Sequence, residues 1–330
     1  MNRNFFGGVR GLMALFAAMM FCHVASAQTQ PWPARAVRIV VGFPAGGTND
    51  VVARLIAEWL TARLGQTFVV DNRPGAGGNI GADMVAKAAP DGYTLALASN
   101  GALATNRFLY KSMPFDADND FTPIVLVGEI PILFVANPKT PVADLGSLVD
   151  QARAHPDTLN AGSPGNGTIG HLALIQFNTL TGAAVQHVPY KGTAPAMTDL
   201  LGGTIELMVS PAVGLVEQIQ SGSLKAIAVT SGKRMDSLPE VPTAIEQGFD
   251  MEASSLIGLF GPVGLPAPIV QRINDEVNRY IASPEGRLKL SAAGLQVDGG
   301  SPQHLADVMA QDVQRWTKVV SASGTSLTQD

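Results

Sequence analysis

Val37–Gly65 reads VRIVVGFPAGGTNDVVARLIAEWLTARLG. Its first seven residues are a nearly unbroken apolar run, as expected of a strand covered on both faces in a parallel sheet. A short glycine loop follows, and then Val51, Val52, Leu55, Ile56, Trp59 and Leu60 recur at helical spacing. Asn49 or Asp50 is placed to cap this helix and Gly65 to end it. A buried strand, a tight loop and an amphipathic helix in that order form the repeating unit of an α/β fold.

The unit recurs on either side. Strand TFVVDN, loop RPGAGG, helix NIGADMVAKAA, turn PDG and strand YTLALAS give β-α-β-α-β, half of a doubly wound sheet. The pattern restarts at Ile130–Pro138 and runs through a helix at Asp144–Ala154, strand TLNAG and a second glycine loop to a helix at Ile169–Leu180. Strand VQHVPY, helix Thr193–Leu201, strand IELMVS, helix Val213–Gln220 and strand LKAIAVTS complete a second α/β unit. After the Pro-rich stretch Pro239–Pro242 come SSLIGLFGPVGLP and two long helical stretches, Ala267–Ile281 and Pro302–Ala322. This last piece is too small to bury a core alone and is expected to pack on the first unit. The expected domains are therefore residues 28–129 with 250–330, and residues 130–249. The chain crosses between them near Glu129–Ile130 and Met251–Leu256, which makes a hinge with a ligand cleft between the domains.

The first 27 residues carry Arg3 and Arg10, an apolar run from Leu12 to Phe21 and the small-x-small site Ala25-Ser26-Ala27, the signature of a cleavable signal peptide directing export to the periplasm. The run is too short for a permanent span, and no later segment has the 18 or more apolar residues one needs. Cys22, the single cysteine, lies in this leader, so disulfide, thiolate and cysteine-metal chemistry are excluded from the mature chain. Removing the leader takes away two arginines and no acid, moving the formal charge from −5 to −7. An acidic chain without a Lys/Arg cluster is not expected to bind nucleic acid or an anionic membrane.

Ser163–His171, SPGNGTIGH, contains G-x-G-x-x-G, the dinucleotide spacing. A dinucleotide site also needs an acid about 20 residues on to hold the ribose. Here those positions give Gln186 and His187, and the first acid is Asp199. Small residues nevertheless allow close backbone approach, and the N–H groups opening the next helix carry partial positive charge. Ser163 and Thr168 add hydroxyls. Phe43–Asp50 is a matching loop in the first unit, and two such loops facing one cleft would pinch a single anion such as a carboxylate. The third loop, Arg73–Asp83, reads as a closely packed strand-to-helix connection.

Catalytic signals are sparse. No G-x-S-x-G, H-E-x-x-H or supported S-x-x-K occurs, and His155, His171, His187 and His304 lack metal-ligand spacing. His171 lies one turn into the helix after the second loop, where it can reach a ligand or serve as a buried, hydrogen-bonded histidine. Lys191 reads as a solvated loop lysine. An exported hydrolase or transferase with His171 or Lys191 as base remains the rival reading, without a visible nucleophile–base–orienter set.

Trp32–Leu60, Val69–Ser99, Gly162–Ala173, Val188–Gly203 and Val241–Phe249 together resemble the periplasmic solute-binding proteins of tripartite tricarboxylate transporters, the Bug family. The resemblance covers nearly the whole mature chain. It implies a two-domain α/β periplasmic-binding-protein fold of the Venus flytrap, type II-like kind, each domain a sheet flanked by helices. It further implies a monomer without cofactor or metal, which closes on a small carboxylate and delivers it to membrane transporter subunits. A ligand-presenting sensor subunit would share this chemistry. Carried over by motif, the ligand positions are Phe43, Ala45, Gly46, Gly47 and Thr48 in the first domain, and Ser163, Asn166, Gly167, Thr168 and His171 in the second. Ser99, Asn100 and Tyr190 are further carry-overs. Where many relatives place an acid after the strand IELMV, this chain has Ser210-Pro211, which tilts the expected ligand toward a non-amino carboxylate, a di- or tricarboxylate or an aromatic acid.

Overall fold

The computed structural model describes residues 32–156 and 158–323, so the leader lies outside the described residues. The opening stretch folds as strand β1 (Val37–Val41) and helix α1 (Thr48–Leu64), which Gly65 ends in the left-handed conformation. The N-cap differs from the expectation. Gly47 holds that position and supplies no side chain, while the Asp50 carboxylate reaches back to accept from the Gly46 amide at 2.9 Å.

Strands β2 (Phe68–Asn72) and β3 (Thr94–Ser99) flank β1 in parallel, with helix α2 (Asn79–Ala86) between them. A strand of 16 residues, β4 (Phe121–Ala136), then runs through both halves of the molecule. Sequence reading placed only its second half, because Pro123, Gly128 and Pro131 punctuate it. The register shifts between Pro123 and Val125 and between Leu126 and Gly128 absorb two of these breakers as bulges. A Cβ on Gly128 would lie 2.4 Å from the Gln296 carbonyl oxygen, so glycine is what lets the short strand β10 (Gln296–Val297) pair there.

The second half contains helix α3 (Leu145–Ala154), capped by Asp144 and Ser147, then β5 (Asn160–Ser163), α4 (Ile169–Thr181), β6 (Gln186–Pro189), α5 (Thr193–Gly202), β7 (Leu207–Pro211), α6 (Val216–Gln220) and β8 (Lys225–Val229). Helix α6 is shorter than the expected 213–220. Strand β9 (Ser254–Pro262) returns antiparallel to both β3 and β4, and helices α7 (Ala267–Ala282), α8 (Pro284–Ala292) and α9 (Pro302–Ser323) close the chain. Helix α8 was not anticipated.

The strand orders are β2-β1-β3-β9-β4-β10 in the first sheet and β6-β5-β7-β4-β8 in the second. Each half has three parallel strands, then an antiparallel strand that has just crossed from the other half, then one further long strand, and the two-residue β10 extends the first sheet. The result is the expected two-lobed α/β fold of sheets flanked by helices.

Each lobe has its own apolar core. One packs β1, β3, β9, α1 and α7 around Ile39, Ile56, Leu97 and Ile273. The other packs α3 and α4 on the second sheet around Phe134, Leu148, Leu172 and Phe177. Helix α9 adds a third link beyond the two anticipated crossings. Its first turn places Leu305 against the first sheet, while Trp316 and Val319 enter the second core.

Candidate functional site

Strand registers position the two glycine loops. Val41 of β1 aligns with Leu97 of β3, and two residues further on Ser99 aligns with Ile257 of β9, which in turn faces Gly128 of β4. The carboxyl ends of β1 and β3 therefore point toward the crossing point, where Pro131 pairs with Ser254. In the second lobe Gly162 aligns with Met208, and β7 runs on until Pro211 faces Ile132. The carboxyl ends of β5 and β7 point to the same crossing from the other side. In open α/β sheets this is where ligands bind, outside the carboxyl ends of the strands.

The first loop is exposed over Pro44–Gly47 and held from beneath. Asp50 is buried and anchors the Gly46 amide, and Arg54 binds Asp50 at 2.9 Å. Arg54 also reaches Asn72, whose side-chain amide donates to the Phe43 carbonyl at 3.1 Å. Hydrogen bonding to Arg54 holds the Asp50 carboxyl below its ordinary pKa, so it stays ionised as a brace. Gly46 adopts φ +86°, which favours glycine, and the space beside its Cα is open. Thr48 opens α1 half-buried. Since Gly47 lacks a capping side chain, the first-turn amides of α1 are not capped from their own N-cap. Gly42 lies against Gly78 and Gly81, so the third glycine loop is a close-packed connection, as its sequence suggested.

The second loop is more enclosed. Ser163 is fully buried, and its hydroxyl lies 2.7 Å from His187 Nε2 and also bonds Gly165. Thr168 is the N-cap of α4, and its hydroxyl donates to the Gly165 carbonyl at 2.8 Å. The Gly167 amide donates to His171 Nδ1 at 3.0 Å. A Cβ on Gly167, which has φ +73°, would lie 2.6 Å from Leu109 of the first lobe, so the lobes approach each other at this glycine. A Cβ on Gly170 would meet the Val209 carbonyl oxygen at 2.2 Å, so its absence seats α4 on β7. Gly165 has φ +147°, and a Cβ there would lie 3.1 Å from the Tyr190 carbonyl oxygen, so all three glycines of G-x-G-x-x-G have structural reasons for being glycine, unrelated to a pyrophosphate.

His187, missed as a site residue by sequence reasoning, stacks on His171 with ring centroids 3.7 Å apart and planes 9° apart. Burial pushes both imidazoles down to about 4, with His187 adding to the effect on His171. The signal that could have found the pair is the parallel pairing of β5 with β6, which sets His187 beside Ala161 and two residues from the Ser163 level.

The remaining candidates spread outward. Ser99 is buried at the end of β3. Asn100 is fully enclosed, donating to the Ser254 carbonyl and to Asp312 and accepting from the Leu256 amide, so its amide ties β3 and β9 to helix α9. Tyr190 donates to Asp199 at 2.7 Å, and burial with that contact pushes its phenol up to about 12. Ser210 is fully buried with its hydroxyl 3.3 Å from that of Thr193. Ala45 and Asn166 are exposed on their loops, and Lys191 is exposed. Among the described residues no cluster of three or more His, Cys, Asp or Glu could hold a metal ion, and no helix is long and apolar enough to cross a membrane.

Residues 52–325 match the tripartite tricarboxylate transporter family receptor, TctC. The chain belongs to this family. It is 37% identical over 298 residues to protein BugT of Bordetella pertussis, covering 90% of this chain and 91% of BugT. Among solved structures it is similar to Rpa4515 of R. palustris, determined with adipate (37% identity, TM-score 0.78, 90% of this chain and 100% of that one). It is also similar to MatC of Rhodopseudomonas palustris with bound malate (34% identity, TM-score 0.73, 88% and 100% covered). This TctC-family chain is thus a solute-binding receptor with the two-lobed fold of its relatives, and family and neighbours favour a receptor over an enzyme.

Proposed function

We propose that this receptor captures a small carboxylate, held between the loop Phe43–Thr48 and the loop Ser163–His171, and delivers it to the membrane subunits of a tripartite tricarboxylate transporter. The observation that carries this reading is the convergence of two glycine-rich strand-to-helix loops on one crossing point. Each presents helix N-terminal amides, and such amides favour anions. A hydrogen bond to a charged group contributes about 1.5–3 kcal/mol net, so a few amides can support micromolar affinity without a basic side chain. The adipate and malate in the two related structures support the ligand class. Ser210 in place of an acid favours a ligand without an amino group.

Capture closes the lobe of β1, β2, β3 and β9 against the lobe of β5 to β8, with α9, which packs on both, bending or moving with the closure, and the ligand supplies the free energy that favours the closed state. The leader over residues 1–27 supports a periplasmic site of action, and the reading is of a monomer that needs no cofactor. A thermal-shift screen of di-, tri- and aromatic carboxylates tests it, since ligand that binds only the folded state raises Tm. Gly46→Val then separates site from fold. The space there is open but φ +86° strains any side chain, so the exposed loop is expected to distort while the cores of both lobes hold, and the best carboxylate's Tm shift is lost with the ligand-free Tm little changed. A shift unchanged in Gly46→Val would contradict the two-loop site.

A further inference from the structure

The imidazole of His171 is held on one edge and open on the other. Nδ1 accepts the Gly167 amide hydrogen at 3.0 Å, and an acceptor nitrogen carries no proton, so the neutral ring must carry its hydrogen on Nε2. Nε2 has no partner among the described residues and is not one of the fully enclosed unpaired atoms, although the residue as a whole is only 8% exposed. The second ring fixes the first. His187 lies parallel to it at 3.7 Å and is itself tied through Nε2 to the buried Ser163 hydroxyl, at the base of the same loop.

We propose that His171 gives the ligand carboxylate a neutral Nε2–H donor, locked in that tautomer by the Gly167 amide and positioned by the stacked ring of His187, so that capture takes up no proton. This rests on the carboxylate-receptor reading above. A protonated His171 would turn a second N–H toward the Gly167 amide, setting donor against donor and breaking the hydrogen bond that shapes the loop. Two charged rings at stacking distance would also repel each other. His187 is the titratable group whose charge acts on His171, and burial is the main influence on both rings. His171 is thus a contact to the ligand, and His187 is a positioning residue.

The test combines ring spectroscopy with calorimetry, using adipate and malate as probes. Imidazole nitrogen shifts of the wild-type protein are expected to report His171 as neutral Nε2–H from pH 8 down to 5.5. A Nδ1–H tautomer, or an imidazolium at pH 6, overturns the proposal without any variant. Titration at pH 6 in two buffers of different ionisation heat is expected to show proton uptake near zero. Uptake near one proton would mean capture by an imidazolium and would overturn it. His171→Asn keeps an acceptor for the Gly167 amide but loses the outer donor, and affinity is expected to fall roughly tenfold to a hundredfold. His187→Ala frees the ring, and measurable proton uptake is expected to appear. Wild-type binding with unchanged affinity in His171→Asn defeats this inference alone. Failure of the wild type to bind either probe or any other small carboxylate defeats the receptor reading, and the ligand role of His171 falls with it.

Discussion

Single residues set the pH response of this receptor. His171 and His187 titrate near 6.5 when unfolded and near 4 when folded, so the stability they contribute is complete above pH 6.5 and is lost as pH falls toward 4. Asp312 runs the other way. Burial raises it from 3.8 to about 6, so its contribution is complete below 3.8 and lost as pH rises through 6, and half-buried Glu129, raised by desolvation, has the same sign. The double variant His171→Asn, His187→Phe removes the first set and leaves the second. Its Tm is expected to gain on that of the wild type as pH falls from 6.5 to 4.5, read by circular dichroism at matched ionic strength. A constant difference across that range would show that the rings do not titrate as their burial requires. Only part of this residue-level picture was legible in sequence. The loop glycines and hydroxyls announced themselves by spacing. The histidine stack did not, because it depends on the pairing of β5 with β6, which sets His187 beside Ala161, 26 residues earlier, and nothing in the string shows that the Asn100 amide is engaged by Ser254, Leu256 and Asp312.

At the scale of elements, reading succeeded where one period dominated. Helix α1 and strand β1 follow directly from helical spacing and an apolar run. Strand β4 was half lost because its prolines and glycine look like turn residues in a one-dimensional string, whereas bulges and the close approach of β10 accommodate them in the sheet. Helix α9 was found, but its destination was not. Periodicity says which face is apolar and not which core receives it, and Trp316, fully buried in the second lobe, carries that information. Its indole N–H donates to Asp312 at 3.0 Å, so one residue links the second core to the Asn100 hub of the first. Trp316→Ala is expected to cost about 3–5 kcal/mol in urea unfolding. A loss below about 1 kcal/mol would mean that the end of α9 is not part of the second core.

On the scale of the whole molecule, two sheets that match in their first five strand positions share β4, and each sends its parallel strands' carboxyl ends toward the shared crossing. On the proposed reading that arrangement brings two loops to one ligand, and closure would be a rotation about few connections. With α9 as a third link, closure must bend or carry that helix, so the radius of gyration in solution is expected to fall only modestly on ligand binding. A second groove between the lobes, near Val213 and Gly294, carries Lys233 and Arg287 and offers an acid a competing destination. Where the acid binds decides between the two places, and a titration of the amide nitrogen–proton NMR spectrum with adipate or malate reads it out residue by residue. The amides of Gly46, Gly47 and Thr48 are expected to shift together with those of Gly165, Gly167 and Thr168, with one common affinity. Shifts confined to one loop, or centred on Lys233 and Arg287 with both loops silent, would contradict the two-loop site.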